Sequence, residues 1–315
     1  MKNILITGGA GFIGSHVVRR FQEKNNKIIV LDSLTYASNL SNIKDCQFIL
    51  ENCDIRNANA VNNVFETHNI TDVIHLAAES HVDNSITNPN IFAETNVIGT
   101  LNLLNTSVKY KVETFYHVST DEVYGALSHD DPAFKETTAY DPTSPYSASK
   151  ASSDHFVRAF HHTYNLPVII SNCSNNYGPH QHTEKLIPKV ISNIKDGKPI
   201  PVYGDGTNVR DWLWVGDHAN AIYTIFHEGV TGETYNIGGE NELSNLELIN
   251  TICEVMSEYL DKPLVEIKKL ITFVEDRKGH DFRYAINIDK IIDDTTWYPE
   301  KDFRDGLKET IKYYL

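Results

Sequence analysis

A tyrosine and a lysine four residues apart are the first side chains in this sequence whose spacing suggests chemistry. Tyr146 and Lys150 lie in the segment SPYSASK, where Ser144 is a predicted helix N-cap and Pro145 the first helical residue. Side chains four residues apart share one face of a helix. The positive charge of the lysine should lower the pKa of the phenol from about 10, so that the phenol can accept a proton from an alcohol. Without a hydride acceptor nearby, the same spacing is typical of an ordinary surface pair.

Two adjacent acidic residues are a second candidate for chemistry. Asp121 and Glu122, preceded by Thr120, follow a predicted buried strand at 115–118, on the edge where parallel sheets bind ligands. Oxidation of an alcohol needs neither acid, whereas elimination of water needs a base on one carbon and an acid on the neighbouring oxygen. Burial and repulsion by an ionised Glu122 would have to raise the pKa of Asp121 from about 3.9 to about 7. Two solvated loop acids are the alternative interpretation.

The segment ILITGGAGFIGSH combines a predicted strand, a glycine-rich turn and the start of a helix. Such a turn exposes backbone N–H groups to a pyrophosphate, and the helix dipole favours the anion. Asp32 ends the next predicted strand, where a carboxylate accepts hydrogen bonds from the ribose hydroxyls of NAD and repels the 2′-phosphate of NADP. Arg19 and Arg20 on the helix leave NADP as an alternative. The glycines of the turn are Gly8, Gly11 and Gly14.

The elements that would hold these groups follow a β-α-β pattern in the first half of the chain. Short apolar runs without alternation are typical of strands buried on both faces, and helical stretches separate them, which predicts a doubly wound parallel sheet. The predicted strands are 4–6, 28–31, 48–50, 73–76, 115–118 and 168–170, and the predicted helices are 12–23, 58–68, 89–110 and 145–164. Beyond residue 178 the alternation weakens, and the predicted helices are 217–226, 245–259 and 304–314. We expect one domain at 1–178 and a smaller one at 179–315, with later segments able to return to the first.

The composition excludes several classes of partner. Lys and Arg total 28 against 42 Asp and Glu, a formal net charge of −14, so most of the surface should repel nucleic acid and anionic membranes. The sequence has no apolar run of about 18 residues and no signal-peptide pattern. Its 4 cysteines, without close spacing, predict a reducing compartment, and His180 and His182 lack partners spaced for a metal site. We therefore expect a cytoplasmic protein without a metal.

Together, the motifs resemble those of the dTDP-glucose 4,6-dehydratases, which are extended short-chain dehydrogenase/reductases. The resemblance covers essentially the whole chain, and the Thr-Asp-Glu triplet at 120–122 is its most specific part. The matching motifs are GGAGFIG, LDSLTYASNL, HLAAESHVD, STDEVYG, YSASK, NCSNNYGP, EKLIP, PVYGDGTNVRDWL and RKGHDFRYAI. The chain departs from the family pattern at Asn84, where the family usually has arginine, and at His180, His182 and Thr183. These departures lie in the motifs that the resemblance associates with substrate recognition.

The resemblance implies a Rossmann-like NAD-binding domain and a smaller C-terminal α/β domain that binds a nucleotide sugar. The implied reaction on dTDP-glucose oxidises C4, eliminates water across C5 and C6, and returns the hydride to C6, with NAD tightly bound throughout. In this scheme Tyr146, beside Lys150, takes the O4 proton, and Thr120 hydrogen-bonds the C4 oxygen. Glu122 removes the C5 proton while Asp121 protonates the departing O6.

The resemblance also implies the residues that contact each ligand. The implied cofactor contacts are Gly8, Gly11, Phe12, Ile13, Gly14, Asp32, Asp54, Ile55, Leu76, Ala77, Ala78, Tyr146 and Lys150. The implied substrate contacts are His81, Asn175, Lys185, Leu186, Pro201, Tyr203, Arg210, Asn245, Arg277 and His280. On spacing alone, Asp54 and Ile55 fit an ordinary loop equally well, and Arg210 beside Asp211 fits a structural ion pair.

Alternatives to this function remain open at the level of sequence. The same chemistry could act on UDP-glucose or on a UDP-N-acetylhexosamine. A nucleotide-sugar 4-epimerase would need the tyrosine and the lysine but would leave both acids without a role, and a non-catalytic NAD-binding regulator would need none of the four. The resemblance further implies a homodimer, formed by a four-helix bundle of the long helices at 89–110 and 145–164.

Overall fold

A parallel β-sheet forms the centre of the molecule. The computed structural model describes residues 2–22, 26–276 and 281–315. The strands are β1 (Asn3–Thr7), β2 (Lys27–Asp32), β3 (Ile49–Asn52), β4 (Asp72–His75), β5 (Thr114–Thr120), β6 (Val168–Cys173), β7 (Asn175–Tyr177), β8 (Ile200–Tyr203), β9 (Val209–Trp214), β10 (Thr234–Ile237), β11 (Glu242–Ser244), β12 (Ile271–Val274) and β13 (Arg283–Tyr284). Within these described ranges the central sheet has 7 strands in the order β10-β6-β5-β4-β1-β2-β3. Neighbouring strands are parallel, which confirms the predicted doubly wound sheet.

Helices cover both faces of this sheet. They are α1 (Phe12–Gln22), α2 (Ala58–His68), α3 (Val82–Thr87), α4 (Pro89–Phe92), α5 (Thr100–Tyr110), α6 (Pro145–Tyr164), α7 (Leu186–Asp196), α8 (Val215–Glu228), α9 (Asn245–Leu260), α10 (Leu264–Lys268), α11 (Asp289–Asp294) and α12 (Phe303–Tyr314). Between α4 and α5 the chain forms a π-helical segment, Ala93–Gly99. The helix predicted at 89–110 is therefore interrupted in its middle. In the described ranges, no helix has the length and apolar character needed to cross a bilayer.

The strands of the central sheet are buried on both faces. On β1, Ile4 and Ile6 pack into one apolar cluster, whereas Leu5 between them packs into another. Helices α1 and α8 close the first cluster, where the rings of Phe21 and Phe226 meet at 5.3 Å. Helices α2, α5 and α6 close the second cluster. Burial on both sides explains why these strands are uniformly apolar instead of alternating.

The later part of the chain builds a smaller α/β region beside the sheet. Strand β9 pairs antiparallel with β11 and parallel with β7 and β13, and β8 pairs parallel with β12. Helices α7, α9 and α12 pack a separate apolar core that includes Ile191, Ile252 and Ile311. Strand β10, however, pairs with β6 in the central sheet, and α8 packs against α1. The division at residue 178 stays a prediction, with these two elements returning to the first unit.

Candidate active site

The turn after β1 leaves no room for a side chain at two of its glycines. Gly8 has a φ of +70°, and a Cβ there would lie 2.9 Å from the Cα of Ala77. A Cβ at Gly14 would lie 2.1 Å from the carbonyl oxygen of Gly8, which also accepts a hydrogen bond from the N–H of Gly11 at 3.1 Å. The turn therefore packs directly on the first turn of α1. Close packing of a glycine-rich turn on a helix N-terminus is typical of a phosphate-binding turn.

Alanine at Gly14 should destabilise the protein far more than alanine at Gly11. The added methyl group would lie 2.1 Å from the Gly8 carbonyl oxygen at position 14 but 3.2 Å from it at position 11. We expect Gly14→Ala to lower the free energy of unfolding by about 2 kcal/mol or more, as measured by urea denaturation. Equal losses in the two variants would contradict the close packing of the turn on α1.

Asp32, the last residue of β2, is buried and connects the glycine-rich turn to the loop that follows the strand. Its Oδ2 accepts a hydrogen bond from the N–H of Ala10 at 3.0 Å. Its Oδ1 accepts from the N–H of Leu34 at 2.9 Å and from the hydroxyl of Ser38 at 2.6 Å. These bonds hold the carboxylate at the carboxyl end of β2, beside the first turn of α1.

One cavity of about 340 Å³ opens at the carboxyl ends of the central strands. Each residue expected to contact the cofactor lines it, namely Gly8, Gly11, Phe12, Ile13, Gly14, Asp32, Asp54, Ile55, Leu76, Ala77, Ala78, Tyr146 and Lys150. The triplet Thr120, Asp121 and Glu122 lines the same cavity. The turn, the tyrosine and lysine, and the two acids therefore share one site, although they come from different elements.

Helix α6 presents Tyr146 and Lys150 to this cavity. The helix begins at Pro145 because the side chains of Ser144 and Ser147 form a capping box. The buried ammonium of Lys150 donates to the carbonyl oxygen of Val118 at 2.8 Å. Burial lowers the pKa of this ammonium group.

The pKa of Tyr146 is shifted in the direction opposite to that predicted from the sequence. Burial raises it well above its ordinary value, and the charge of Glu122 adds to the rise. A hydrogen bond with Thr120 acts in the other direction but is outweighed. The sequence indicates that Lys150 is near Tyr146 but does not indicate this burial. Among the effects of the protein's own groups on the pKa of Tyr146, burial is the largest.

Asp121 and Glu122 begin a short 3-10 helix directly after β5. The hydroxyl of Thr120 accepts the N–H of Glu122 and donates to Oδ1 of Asp121, both at 3.3 Å. Asp121 is buried, and its Oδ2 has no hydrogen-bond partner among the described residues. Burial, followed by repulsion from Glu122, raises the pKa of Asp121 well above its usual value. This is the direction that a proton donor at neutral pH requires.

Comparisons with known proteins agree with this arrangement. The family model described as GDP-mannose 4,6 dehydratase matches residues 5–310. The chain belongs to this dehydratase family. A dTDP-glucose 4,6-dehydratase of Neisseria gonorrhoeae is 51% identical over 331 residues, which cover 100% of this chain and 96% of that protein.

Solved structures of dTDP-glucose 4,6-dehydratases have the same fold as this member of the dehydratase family. The enzyme of Streptomyces venezuelae, crystallised with NAD bound, has a TM-score of 0.92 at 42% identity over 99% of this chain and 96% of that chain. The enzyme of Bacillus anthracis, in complex with NAD, has a TM-score of 0.89 at 44% identity over 100% of this chain and 96% of that chain. The match extends over both the central sheet and the smaller α/β region.

Two of the residues expected to contact the substrate line the cavity of this dehydratase. They are Asn175 and Lys185, and the ammonium of Lys185 donates to the carbonyl oxygen of Ser80 at 3.3 Å. Arg277 and His280 lie outside the described residues. The other six, which are not among the lining residues, are His81, Leu186, Pro201, Tyr203, Arg210 and Asn245.

These six residues lie either in the smaller α/β region or next to residues that line the cavity. Leu186 and Asn245 begin α7 and α9, and Pro201 and Tyr203 lie in β8. His81 caps α3, and its Nε2 lies 3.7 Å from a carboxylate oxygen of Glu184, which lines the cavity.

Arg210 lies on β9 with its guanidinium 4.4 Å from the ring centroid of Tyr284. The guanidinium donates to the carbonyl oxygens of Val209 and Asp281 at 2.7 and 3.0 Å. Its positive charge opposes the rise in the pKa of Asp121. Arg210 therefore acts electrostatically on the acid end of the site, although it is not among the lining residues.

The cavity also has lining residues that the sequence motifs do not single out. Arg56 donates to both carboxylate oxygens of Asp54. Its Nε lies 3.1 Å from Oδ1, and its Nη2 lies 2.6 Å from Oδ2. In the sequence, its position directly after the Asp54-Ile55 pair could have identified Arg56 as a cavity residue. Cys173, at the end of β6, also lines the cavity, and burial raises the pKa of its thiol to about 12.

The residues that depart from the family pattern lie at or near the cavity. His182 lines it and makes an edge-on ring contact with Tyr36, whose hydroxyl accepts a hydrogen bond from Asn84 at 3.4 Å. His180 has a φ of +73° and makes a hydrogen bond with Ser15 on α1. In the described part of the chain, no group of three or more His, Cys, Asp or Glu residues is arranged to hold a metal ion.

Proposed function

We propose that this chain converts dTDP-glucose to dTDP-4-dehydro-6-deoxy-glucose and water with a tightly bound NAD. One observation carries the proposal: the glycine-rich turn, Tyr146 with Lys150, and Asp121 with Glu122 line a single cavity. The relative that is 51% identical is named for this reaction, and both similar structures were crystallised with NAD. A 4-epimerase would leave the two acids without a function.

The residues of the cavity fit NAD. The space that a Cβ would fill at Gly8 and Gly14 is already taken by backbone, so the turn is as tight as a pyrophosphate site requires. The Asp32 carboxylate lies where the adenine ribose is expected. When bound, NAD supplies the acceptor for the hydride from C4 and returns that hydride to C6. The remaining proposed contacts are Gly11, Phe12, Ile13, Asp54, Ile55, Leu76, Ala77, Ala78, Tyr146 and Lys150.

Tyr146 accepts the proton of the sugar O4 as C4 is oxidised. Burial and Glu122 oppose ionisation of this phenol, so it needs positive charge nearby. The ammonium of Lys150, one helical turn away, provides part of that charge. The hydroxyl of Thr120 interacts with Tyr146 and can donate to the oxygen at C4. These groups together hold the proton acceptor beside the carbon that is oxidised.

Glu122 and Asp121 expel water from the 4-keto sugar. The carbonyl at C4 acidifies the hydrogen at C5, and Glu122 takes that proton. Asp121, whose pKa is raised by burial and by Glu122, gives its proton to O6 as the C6–O6 bond breaks. After water has left, Glu122 gives a solvent-exchangeable proton to C5 as the hydride returns to C6. The proton that Tyr146 took from O4 is released to solvent, and Asp121 takes one up, which closes the cycle. The two neighbouring acids thus perform opposite proton transfers, because burial and the charge of Glu122 favour the protonated form of Asp121.

The diphosphate of the substrate needs local positive charge in a chain of net charge −14. Lys185, at the rim of the cavity, and Arg210 provide such charge from the described residues, and we assign Arg277 the same role. The other proposed substrate contacts are His81, Asn175, Leu186, Pro201, Tyr203, Asn245 and His280.

The proposal includes a homodimer in the cytoplasm. Exposed apolar side chains on the π-helical segment and on α6 support pairing through these helices, with Ile98 at 50%, Phe156 at 39% and Tyr164 at 55% exposure. The cysteines are free thiols, as a reducing compartment allows.

The substrate is tested by incubating the protein separately with dTDP-glucose, UDP-glucose and UDP-N-acetylglucosamine. We expect dTDP-glucose to yield a product lighter by one water, detected by mass spectrometry. Faster conversion of either UDP sugar would favour the same chemistry on that nucleotide. If none of the three sugars loses water, the proposed 4,6-dehydration is wrong.

A further inference from the structure

Lys150 is a buried charged group in the wall of the cavity. Its side chain is 5% exposed, and its ammonium donates to the carbonyl oxygen of Val118. One neutral carbonyl does not compensate for the removal of an ammonium from water, so a buried lysine either gains a counter-charge or loses its proton. The proposed function needs the charged form, because that charge helps Tyr146 to ionise.

Asp154 lies one turn beyond Lys150 on α6 and is fully buried. Its Oδ2 accepts hydrogen bonds from the hydroxyls of Ser119 at 2.8 Å and Tyr140 at 2.9 Å. Its Oδ1 accepts from Nε2 of His117 at 3.1 Å. Three donors from β5 and from the loop before α6 therefore converge on one carboxylate, which is the environment of an ionised acid.

We propose that Asp154 is a positioning residue for the reaction, a buried counter-charge that keeps Lys150 protonated and in place beside Tyr146. The inference rests on the proposed function, because it assigns Asp154 a role through the tyrosine and lysine of that site. Asp154 does not line the cavity and does not touch the reacting atoms.

The neighbours of Asp154 favour its charged form. Burial alone would raise the pKa of this carboxyl, but the hydrogen bond from His117 and the charge of Lys150 hold it below its usual value. Burial and Lys150 lower the pKa of His117 to about 4, so the imidazole is neutral near pH 7 and donates without cancelling the charge. The negative charge of Asp154 is therefore available to Lys150.

Two other titratable groups near Lys150, Cys173 and His75, carry no compensating charge near pH 7. Cys173 at the end of β6 has its pKa raised to about 12, so its thiol is neutral. The pKa of His75 on β4 is lowered well below its usual value by burial, by His117 and by Lys150, so this imidazole is also neutral. Tyr146 carries a negative charge only after it ionises. Among the described residues, Asp154 is the group whose charge most favours the ammonium form of Lys150.

A double-mutant cycle in the NAD-loaded protein tests the pairing without any substrate. In the wild-type background, Asp154→Asn should lower the urea midpoint, because it leaves the Lys150 charge uncompensated. In the Lys150→Met background, the same substitution should lower the midpoint by clearly less, or raise it, because it no longer leaves a buried ammonium uncompensated. If Lys150→Met weakens NAD binding, it does so both in the single variant and in the double variant, so this effect cancels when the two are compared.

The difference between the two comparisons decides the pairing. A smaller loss in the Lys150→Met background than in the wild-type background, or a gain, supports the proposal, and so does a double variant that folds where Asp154→Asn alone does not. An equal or larger loss in the Lys150→Met background would overturn it.

The pH profile of the first reaction step tests the consequence for catalysis. In Asp154→Asn, the rate at which dTDP-glucose reduces bound NAD should begin to fall at a pH about one unit or more below that of the wild type. The reason is that Lys150 loses its proton at a lower pH in the variant. The matched control is Tyr140→Phe, which removes a neutral donor to the same carboxylate but leaves its charge. This control should keep the wild-type alkaline limb.

The outcomes of this profile separate the inference from the proposed function. An alkaline limb in Asp154→Asn that coincides with that of the wild type, or an equal shift in Tyr140→Phe, would refute the role of the charge. If the wild-type protein does not reduce its NAD at all, the proposed function fails, while the stability cycle still tests the pairing of Lys150 with Asp154.

Discussion

Replacing Tyr146 by phenylalanine is expected to lower the rate at which dTDP-glucose reduces bound NAD by about 10³-fold. The variant keeps the aromatic ring, the glycine-rich turn and Lys150, so NAD should still bind. It removes the phenolic oxygen whose ionised form accepts the O4 proton, and without that acceptor the oxidation of C4 to a carbonyl is slow. The measurement is stopped-flow absorbance of reduced nicotinamide after the holoenzyme is mixed with substrate.

The matched control is Tyr298→Phe, the same substitution at an exposed position outside the cavity and outside the helices of the proposed dimer. It should react at the wild-type rate. A normal burst of reduced nicotinamide in Tyr146→Phe would assign the proton transfer to another group. Loss of NAD from the purified variant would instead show that the phenol holds the cofactor.

Signals between residues close in sequence allowed much of the fold and the site to be predicted. The bounds of α6 follow from Ser144 and Pro145 at its start and from Asn165, which ends it with a φ of 54°. The glycine-rich turn is likewise recognisable because its contacts join Gly8 to Gly14 within a single segment. Each of these features depends on neighbours in the chain, which the sequence displays directly.

Features that depend on distant contacts could not be predicted in the same way. In the π-helical segment, the side chain of Asn96 accepts the N–H of Glu79 at 2.8 Å and donates to the carbonyl oxygen of Glu79 at 3.0 Å. It also donates to the hydroxyl of Ser149 on α6 at 2.8 Å. Strand β10 is four residues long and, within the described residues, lies at the edge of the sheet and pairs with β6. Neither feature has a periodic pattern of its own.

The pKa shifts in the site likewise depend on contacts between residues distant in sequence. The spacing of Tyr146 and Lys150 correctly indicates a shared helical face, but the burial and the Glu122 charge that raise the pKa of Tyr146 come from the tertiary structure. Asp154 follows Lys150 at the same four-residue spacing, yet two of its three hydrogen-bond donors lie on β5. Its convergence with those donors becomes visible only in the folded chain.

Glu122→Gln should separate oxidation from elimination. Tyr146 and Lys150 remain, and loss of the Glu122 charge removes a contribution that raises the pKa of Tyr146, so bound NAD should still be reduced. Without the carboxylate, the C5 proton cannot be removed, and water release should fall by about 10³-fold or more. Reduced nicotinamide should therefore accumulate, and no deuterium should enter C5 in heavy water.

Comparison with Asp121→Asn distinguishes the base from the acid. In that variant Glu122 can still exchange the C5 proton of the 4-keto sugar, but no acid protonates O6, so deuterium should enter C5 without loss of water. Asp121 also depends on its neighbour, since the Glu122 charge helps to keep its pKa high. Glu122→Gln should therefore lower the protonated fraction of Asp121 as well as remove the base. Adding Asp121→Asn to Glu122→Gln should then cost little further activity. Deuterium at C5 in Glu122→Gln would mean that another group is the base.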